Sequence, residues 1–140
     1  MTRLYVTSTS APESVAAVLR HAMGEETASR FALVLAGDCV KAKKPAPDIY
    51  LLAAGKLGVP PGQSVVEDSA NGLQAAVAAG MKCVVTVSSY TKEEGFTGAA
   101  IVVSCLGDPG REVCEVLANH SAARPAGYLT VADLESILAG

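Results

Sequence analysis

Short apolar runs alternate with segments of helical periodicity along most of the chain, and this alternation limits the possible folds more than any other feature. The predicted strands cover residues 3–8, 31–37, 64–68, 82–87 and 99–104. The predicted helices cover residues 12–23, 48–58, 69–80, 111–120 and 131–139. Alternation of this kind is typical of an α/β fold, in which a parallel sheet is flanked by helices and joined by right-handed crossovers.

Capping signals mark several helix ends. Ser10 and Glu13 have the spacing of a capping box, which predicts Ser10 as the N-cap of the first helix. Gly58 is the predicted stop of the second helix. Thr130 and Asp133 repeat the capping spacing before the last helix.

Composition excludes several classes of protein. The net charge of −3 argues against a nucleic-acid-binding face, which would be basic. No apolar run is long enough to predict a membrane span. The four cysteines do not have metal-site spacing, and we interpret them as reduced thiols of an intracellular or organellar compartment.

Polar residues follow three of the predicted strands, at the sheet edge where α/β proteins bind ligands. Ser8, Thr9 and Ser10 precede a helix whose free N–H groups favour a phosphate, although Ser10 alone would also serve as a simple cap. Lys44 lies in the proline-rich stretch KKPAPD, where its charge would neutralise phosphate oxygens or a carboxylate; a solvated basic loop is the alternative.

Two adjacent carboxylates, Glu67 and Asp68, end the third predicted strand. Burying such a pair is costly unless it binds a cation or is well hydrogen-bonded. Carboxylate oxygens suit Mg²⁺. The alternative is that Asp68 or Ser69 only caps the next helix.

Three segments together resemble one family: STSAPESV, KKPAPDIYLLAAGKLGV and VVEDSANGLQAAVAAGMKCVVT. They are similar to the haloacid dehalogenase superfamily, in particular its β-phosphoglucomutase-like and CbbY-like sugar-phosphate phosphatases, over about residues 3–103. The segments SSYTKEEGF and CLGDP look like the plant and algal CbbY-like branch. The resemblance implies a Mg²⁺-dependent phosphatase acting on a small sugar phosphate or bisphosphate.

The resemblance also implies a role for each polar residue. Ser8 would hydrogen-bond the transferring phosphoryl group, and Lys44 would stabilise that group and the nucleophile. Asp68 would be a Mg²⁺ ligand, with Glu67 supporting or joining the metal shell. Thr9 and Ser10 would line the phosphate pocket.

The sequence departs from the family pattern in one major respect. The family's first motif, D-x-D-G-T, supplies the attacking aspartate at the end of the central strand, and a helical cap domain follows it; the sequence contains no D-x-D. We therefore expect an α/β haloacid-dehalogenase-like sheet without its first central strand and without a cap. We also expect little or no turnover from this chain alone, because it offers charge neutralisation without a nucleophile.

The predicted organisation is a partial core over residues 1–104 and an extension with one or two helices, packed on that core, over residues 105–140. One hypothesis is a piece of a working phosphatase whose nucleophile lies upstream. A second is a non-catalytic subunit or scaffold, with a protein partner or another segment completing the sheet. A nucleotide-binding module ranks last, because TSTSAPE contains no glycine.

Overall fold

The computed structural model describes residues 3–60 and 62–140. The strands are β1 (Tyr5–Thr7), β2 (Leu33–Leu35), β3 (Ser64–Glu67), β4 (Lys82–Thr86), β5 (Ile101–Val103) and β6 (Val116–Asn119). The helices are α1 (Pro12–Ala28), α2 (Asp48–Leu57), α3 (Ala70–Ala78) and α4 (Val131–Ala139). The predicted α/β class is confirmed. No helix in the described part of the chain is long and apolar enough to cross a bilayer.

The strands form two sheets. β1 pairs with β2 in parallel. The larger sheet has the order β3-β4-β5-β6, in which β6 alone is antiparallel to its neighbour. The parallel register places Val66 opposite Val84, and Val84 opposite Ile101.

Strand β4 is the centre of the core because both of its faces are covered. Cys83 and Val85 belong to a cluster with Leu73 of α3 and Tyr50 of α2. On the other face, Val84 packs in a second cluster with Ile101, Val103 and Ile137 of α4. The three apolar residues CVV at the centre of β4 are all buried, as is typical of a parallel strand covered on both sides.

A cleft separates the two sheets. In the described ranges, β1 pairs only with β2 and β3 pairs only with β4, so one edge of each faces the other without hydrogen bonds. The cleft between them has a volume of about 340 Å³ and is lined by Tyr5–Thr7 on one side and Ser64–Glu67 on the other. The edges remain apart rather than closing into one sheet.

Two helix-end predictions are confirmed. Gly58 ends α2 in the left-handed conformation, with φ of 63°. Thr130 and Asp133 form a complete capping box at the start of α4, in which the Thr130 hydroxyl accepts from the Asp133 N–H at 3.1 Å. The carboxylate of Asp133 accepts from the Thr130 N–H in return, at 2.9 Å.

Three other local predictions are wrong. Ser10 does not cap helix α1, because the N-cap position falls on Ala11, whose side chain cannot accept a hydrogen bond. The Ser10 carbonyl accepts a hydrogen bond from Gly37 N–H at 2.7 Å. The helix also continues past residue 23, across a break at Gly24, where φ is 77°. Residues 111–120 are not helical. Their C-terminal part forms β6, which pairs with the edge of β5, and this pairing outweighs the local helical preference.

Candidate active site

The centre of the candidate site is a lysine, a glutamate and a tyrosine in direct contact. Glu67 is the last residue of β3, Lys44 lies in the loop before α2, and Tyr50 lies in the first turns of α2. The Glu67 carboxylate accepts hydrogen bonds from the Lys44 ammonium and the Tyr50 hydroxyl through the same oxygen, Oε1. The side chain of Glu67 is only 9% exposed and that of Lys44 is 18% exposed. A buried carboxylate is stable only with partners of this kind.

The aromatic ring of Tyr50 gives Lys44 a second contact. The ammonium lies 4.9 Å from the ring centroid, within the range of a cation–π interaction. Tyr50 itself is 1% exposed and belongs to the core. The core therefore positions the hydroxyl and the ring that hold Lys44 against Glu67.

Helix α3 supplies the other side of the glutamate pocket. Gly72 is buried in its first turn, and a Cβ at this position would collide with the Glu67 carboxylate. Ser69 caps the helix, accepting from Gly72 N–H at 3.1 Å. Glu67 thus lies at a helix N-terminus, where the helix dipole favours negative charge.

Asp68 follows the carboxyl end of β3 and is exposed, whereas the side chain of Glu67 is largely buried. Because Ser69 is the cap, the Asp68 carboxylate is not needed for the helix start. Among the residues that the structure describes, no group hydrogen-bonds this carboxylate. Asp68 is therefore free to bind a ligand.

The three hydroxyl residues after β1 lie apart from the Lys44–Glu67 contact. Ser8 N–H extends the β1–β2 ladder by donating to Leu35 at 2.9 Å, and the Ser8 hydroxyl accepts from Ser10 N–H at 3.1 Å. Ser8 and Ser10 line a groove beside α1, and Thr9 is exposed. In the described part of the chain, none of the three hydroxyls contacts Lys44, Glu67 or Asp68.

On β1, Thr7 rather than Ser8 lines the cleft together with Lys44 and Glu67. Thr7, Tyr50 and Gly72 were all missed by sequence reasoning. The strand alternation that separates residue 7 from residue 8 was a usable signal, since neighbouring side chains point to opposite faces. The tyrosine had the spacing of an ordinary core residue, which concealed its hydroxyl contact.

Burial shapes the electrostatics around the pair. It raises the pKa of the Cys83 thiol to about 12, an effect to which the Glu67 charge adds and which Lys44 partly offsets. Burial also raises the pKa of the Tyr5 hydroxyl, with Lys44 opposing the shift and Glu67 adding to it. Cys83 therefore remains a protonated core residue near the cleft.

The carboxylates of Asp68 and Glu67 suit a magnesium site that water and a substrate phosphate complete. No cluster of three or more His, Cys, Asp or Glu side chains occurs within residues 3–60 and 62–140. Mg²⁺ is often held by one or two carboxylates together with water and substrate phosphate, rather than by an all-protein cage. Asp68 offers free oxygens for such an ion, and Glu67 lies beside it with Oε1 already occupied.

Known proteins resemble this chain in sequence and in fold. The chain is 50% identical over 111 residues to a CBBY-like protein of Arabidopsis thaliana, covering 79% of this chain and 34% of the relative. It superposes on CbbY of Rhodobacter sphaeroides bound to phosphate with a TM-score of 0.69 and 44% identity, covering 73% of this chain and 46% of that one. A mutant of that CbbY in complex with xylulose-(1,5)bisphosphate gives a TM-score of 0.66 and 42% identity over similar shares.

The chain spans between a third and a half of the length of these relatives. The family model for haloacid dehalogenase-like hydrolases matches residues 2–80, which is more than half of the 140 residues. The chain therefore belongs to the haloacid dehalogenase-like hydrolases.

Proposed function

We propose that this chain forms the phosphate- and magnesium-binding half of a sugar-phosphate phosphatase of the CbbY-like type. The observation that carries the proposal is the contact between Lys44 and Glu67 in the lining of the open cleft, with the exposed Asp68 next to Glu67 in the sequence. Xylulose-(1,5)bisphosphate, the ligand bound by the related CbbY, indicates a small sugar phosphate or bisphosphate as the substrate class.

Each residue has a distinct role in this proposal. The Lys44 ammonium neutralises phosphoryl oxygens, and the Glu67 carboxylate with the Tyr50 hydroxyl and ring holds it in place. Asp68, with Glu67, holds Mg²⁺, which supplies further charge neutralisation at the phosphate when bound. Ser8, Thr9 and Ser10 lie at the carboxyl end of β1, and in this proposal their hydroxyls donate to the phosphate, because the Ser8 and Ser10 N–H groups already have partners within the chain.

The attacking carboxylate comes from an extended segment that enters the cleft. Two unpaired strand edges face this space, and an inserted strand would hydrogen-bond to both. The carboxyl end of such a parallel strand would emerge beside Lys44 and Glu67. An aspartate at that end would meet the ammonium, as an in-line attack on a neutralised phosphate requires. The segment belongs either to upstream sequence or to another chain.

Calorimetric titration of the chain with MgCl₂ in the presence of inorganic phosphate tests the metal site. We expect Asp68→Asn to weaken magnesium binding by at least about tenfold, because even the loss of an outer-shell partner costs a metal site that much. Asp108→Asn is the matched control, since Asp108 is an exposed aspartate whose nearest cation, Arg111, lies 4.0 Å away. Equal magnesium affinities for wild type and Asp68→Asn would contradict the assignment.

The phosphatase activity is tested in a form of the chain whose cleft is filled by an added strand. Phosphate release from xylulose-(1,5)bisphosphate is measured for the chain alone and for a form extended upstream, each with and without Mg²⁺. We expect turnover only from the extended form, and we expect Asp68→Asn to abolish it.

A non-catalytic scaffold is the second candidate, and the two unpaired strand edges favour it. A scaffold would bind its partner strand equally well with Asp68→Asn and would release no phosphate in any form. Magnesium-dependent turnover that Asp68→Asn abolishes would reject this candidate. The free thiols suit a reducing compartment, and we propose the chloroplast or the cytoplasm.

A further inference from the structure

Cys105 and Cys114 lie just beyond the paired ends of β5 and β6. In the antiparallel ladder, Val103 lies opposite Val116. The ladder continues one step beyond the strand ends, because Ser104 N–H donates to Glu115 C=O at 2.9 Å. One step further, the same register places Cys105 directly opposite Cys114.

The two thiols also share a face of the sheet. Ile101 and Val103 point into the core cluster beneath α4, and the same period of two, extended past the end of β5, would place Cys105 on this face. Cys114 is itself a member of that cluster and is 6% exposed. Cys105 is half-buried, so one thiol of the pair is accessible and the other lies inward of it.

Hydrogen bonds hold the two cysteines close. The Cys105 thiol donates to Val113 C=O at 3.4 Å, and this carbonyl belongs to the peptide bond between Val113 and Cys114. Cys114 N–H donates to Gly127 at 2.7 Å rather than to Cys105, which makes 105 and 114 a non-hydrogen-bonded pair. Cα atoms in such pairs lie about 4.5 Å apart, within the range of about 4.4–6.8 Å that disulfides adopt.

Neighbouring contacts fix this geometry. The Ser104 hydroxyl accepts from Glu115 N–H at 2.9 Å and lies 3.8 Å from the Cys105 sulfur. The intervening loop turns back tightly, with Asp108 N–H donating to Glu112 at 2.8 Å. Burial and the neighbouring Cys105 raise the pKa of the Cys114 thiol, so Cys105 is the thiol that reacts first.

We infer that Cys105 and Cys114 are a modification site, oxidised by a small-molecule disulfide to a cross-strand disulfide that fastens β6 to β5. The Cys105 thiolate attacks the reagent disulfide, forms a mixed disulfide and releases one reagent thiol. The Cys114 thiolate then attacks the Cys105 sulfur and releases the second thiol. The two protein thiols lose two electrons and two protons, which reduce one reagent disulfide to two thiols.

The test incubates the chain in glutathione buffers of increasing oxidised-to-reduced ratio, then acid-quenches, alkylates and digests it with trypsin. Arg111 lies between the two cysteines, so trypsin places them on separate peptides that only a disulfide joins. We expect both free thiols to be lost together as the linked peptide pair appears. The mass of that pair should be two hydrogen atoms below the sum of the two separate thiol peptides. In Cys114→Ser, we expect a stable glutathione adduct at Cys105.

Cys39 is the control, because it is exposed and faces no second cysteine among the described residues. Its glutathione adduct should persist, and Cys39→Ser should leave the Cys105–Cys114 link unchanged. Free thiols at both positions in the most oxidising buffer would overturn the inference. So would a lasting glutathione adduct at Cys105 in the wild-type chain, since an adjacent Cys114 should displace it.

Discussion

Replacing Gly72 with alanine sets two physical effects against each other. An alanine inside a helix is favoured over glycine by about 0.8–1 kcal/mol, which on its own would stabilise α3. The added Cβ, however, occupies the space of the Glu67 carboxylate. The backbone around residue 72 belongs to a capped first turn against the core and has little freedom to move. We therefore expect the glutamate to be displaced.

The magnitude follows from the contacts that Glu67 makes. Its displacement weakens the hydrogen bonds from Lys44 and Tyr50, and bonds to a charged group contribute about 1.5–3 kcal/mol each. After subtraction of the helix-propensity gain, Gly72→Ala should lower the free energy of unfolding by about 2–5 kcal/mol. Urea denaturation followed by circular dichroism measures this quantity.

Gly55→Ala is the matched control, because Gly55 lies inside α2 and a Cβ there meets open space. It should stabilise the chain by up to about 1 kcal/mol. In a Glu67→Ala background, Gly72→Ala should also become neutral or stabilising, since no carboxylate remains to collide with. A Gly72→Ala chain as stable as Gly55→Ala would refute the reasoning.

The other predictions concern the site tyrosine and the cap of α4. Tyr50→Phe removes one donor to Glu67 and should cost about 1–3 kcal/mol in urea unfolding, whereas Tyr128→Phe should cost almost nothing, because its hydroxyl has no partner among the described residues. Thr130→Ala should cost about 1 kcal/mol, measured in the same way, because it removes the N-cap of α4. Hydrogen bonds from Thr130 lower the pKa of Asp133, so its contribution to stability is present above about pH 4 and is lost as the pH falls below its unfolded-state pKa. Asp133→Asn should flatten that part of the stability–pH curve, and an unchanged acid limb would contradict this assignment.

The sheet was predictable from sequence because its strands are simple. The residues CVV at the centre of β4 suit a strand buried on both faces, and the helix before it, α3, is followed by Gly80, the predicted stop, at a φ of 78°. The carboxylates at positions 67 and 68 were visible because two charges directly after an apolar strand demand an explanation.

The remaining features depend on contacts between distant parts of the chain. The role of Gly72 is set by a glutamate side chain that folds back over α3, and a lone helical glycine gives no sign of it. The segment around β6 has apolar residues at helical spacing, namely Val113, Val116 and Leu117. These three are largely exposed, so the pattern marked no buried face. Pairing with β5 decided the outcome, and such non-local pairing cannot be found by inspecting a short window.

The double-sided covering of β4 implies that the chain does not open uniformly. Amide hydrogens of Val84 and Val85 lie between two parallel neighbours and beneath helices on both faces, so their exchange with deuterium should require unfolding of the whole domain. The β1–β2 pair has a free edge and rests on the rest of the chain mainly through α2, so its amides should exchange through a smaller, local opening. The two sides of the cleft would then differ in mobility, with the β1 side yielding first when a strand enters.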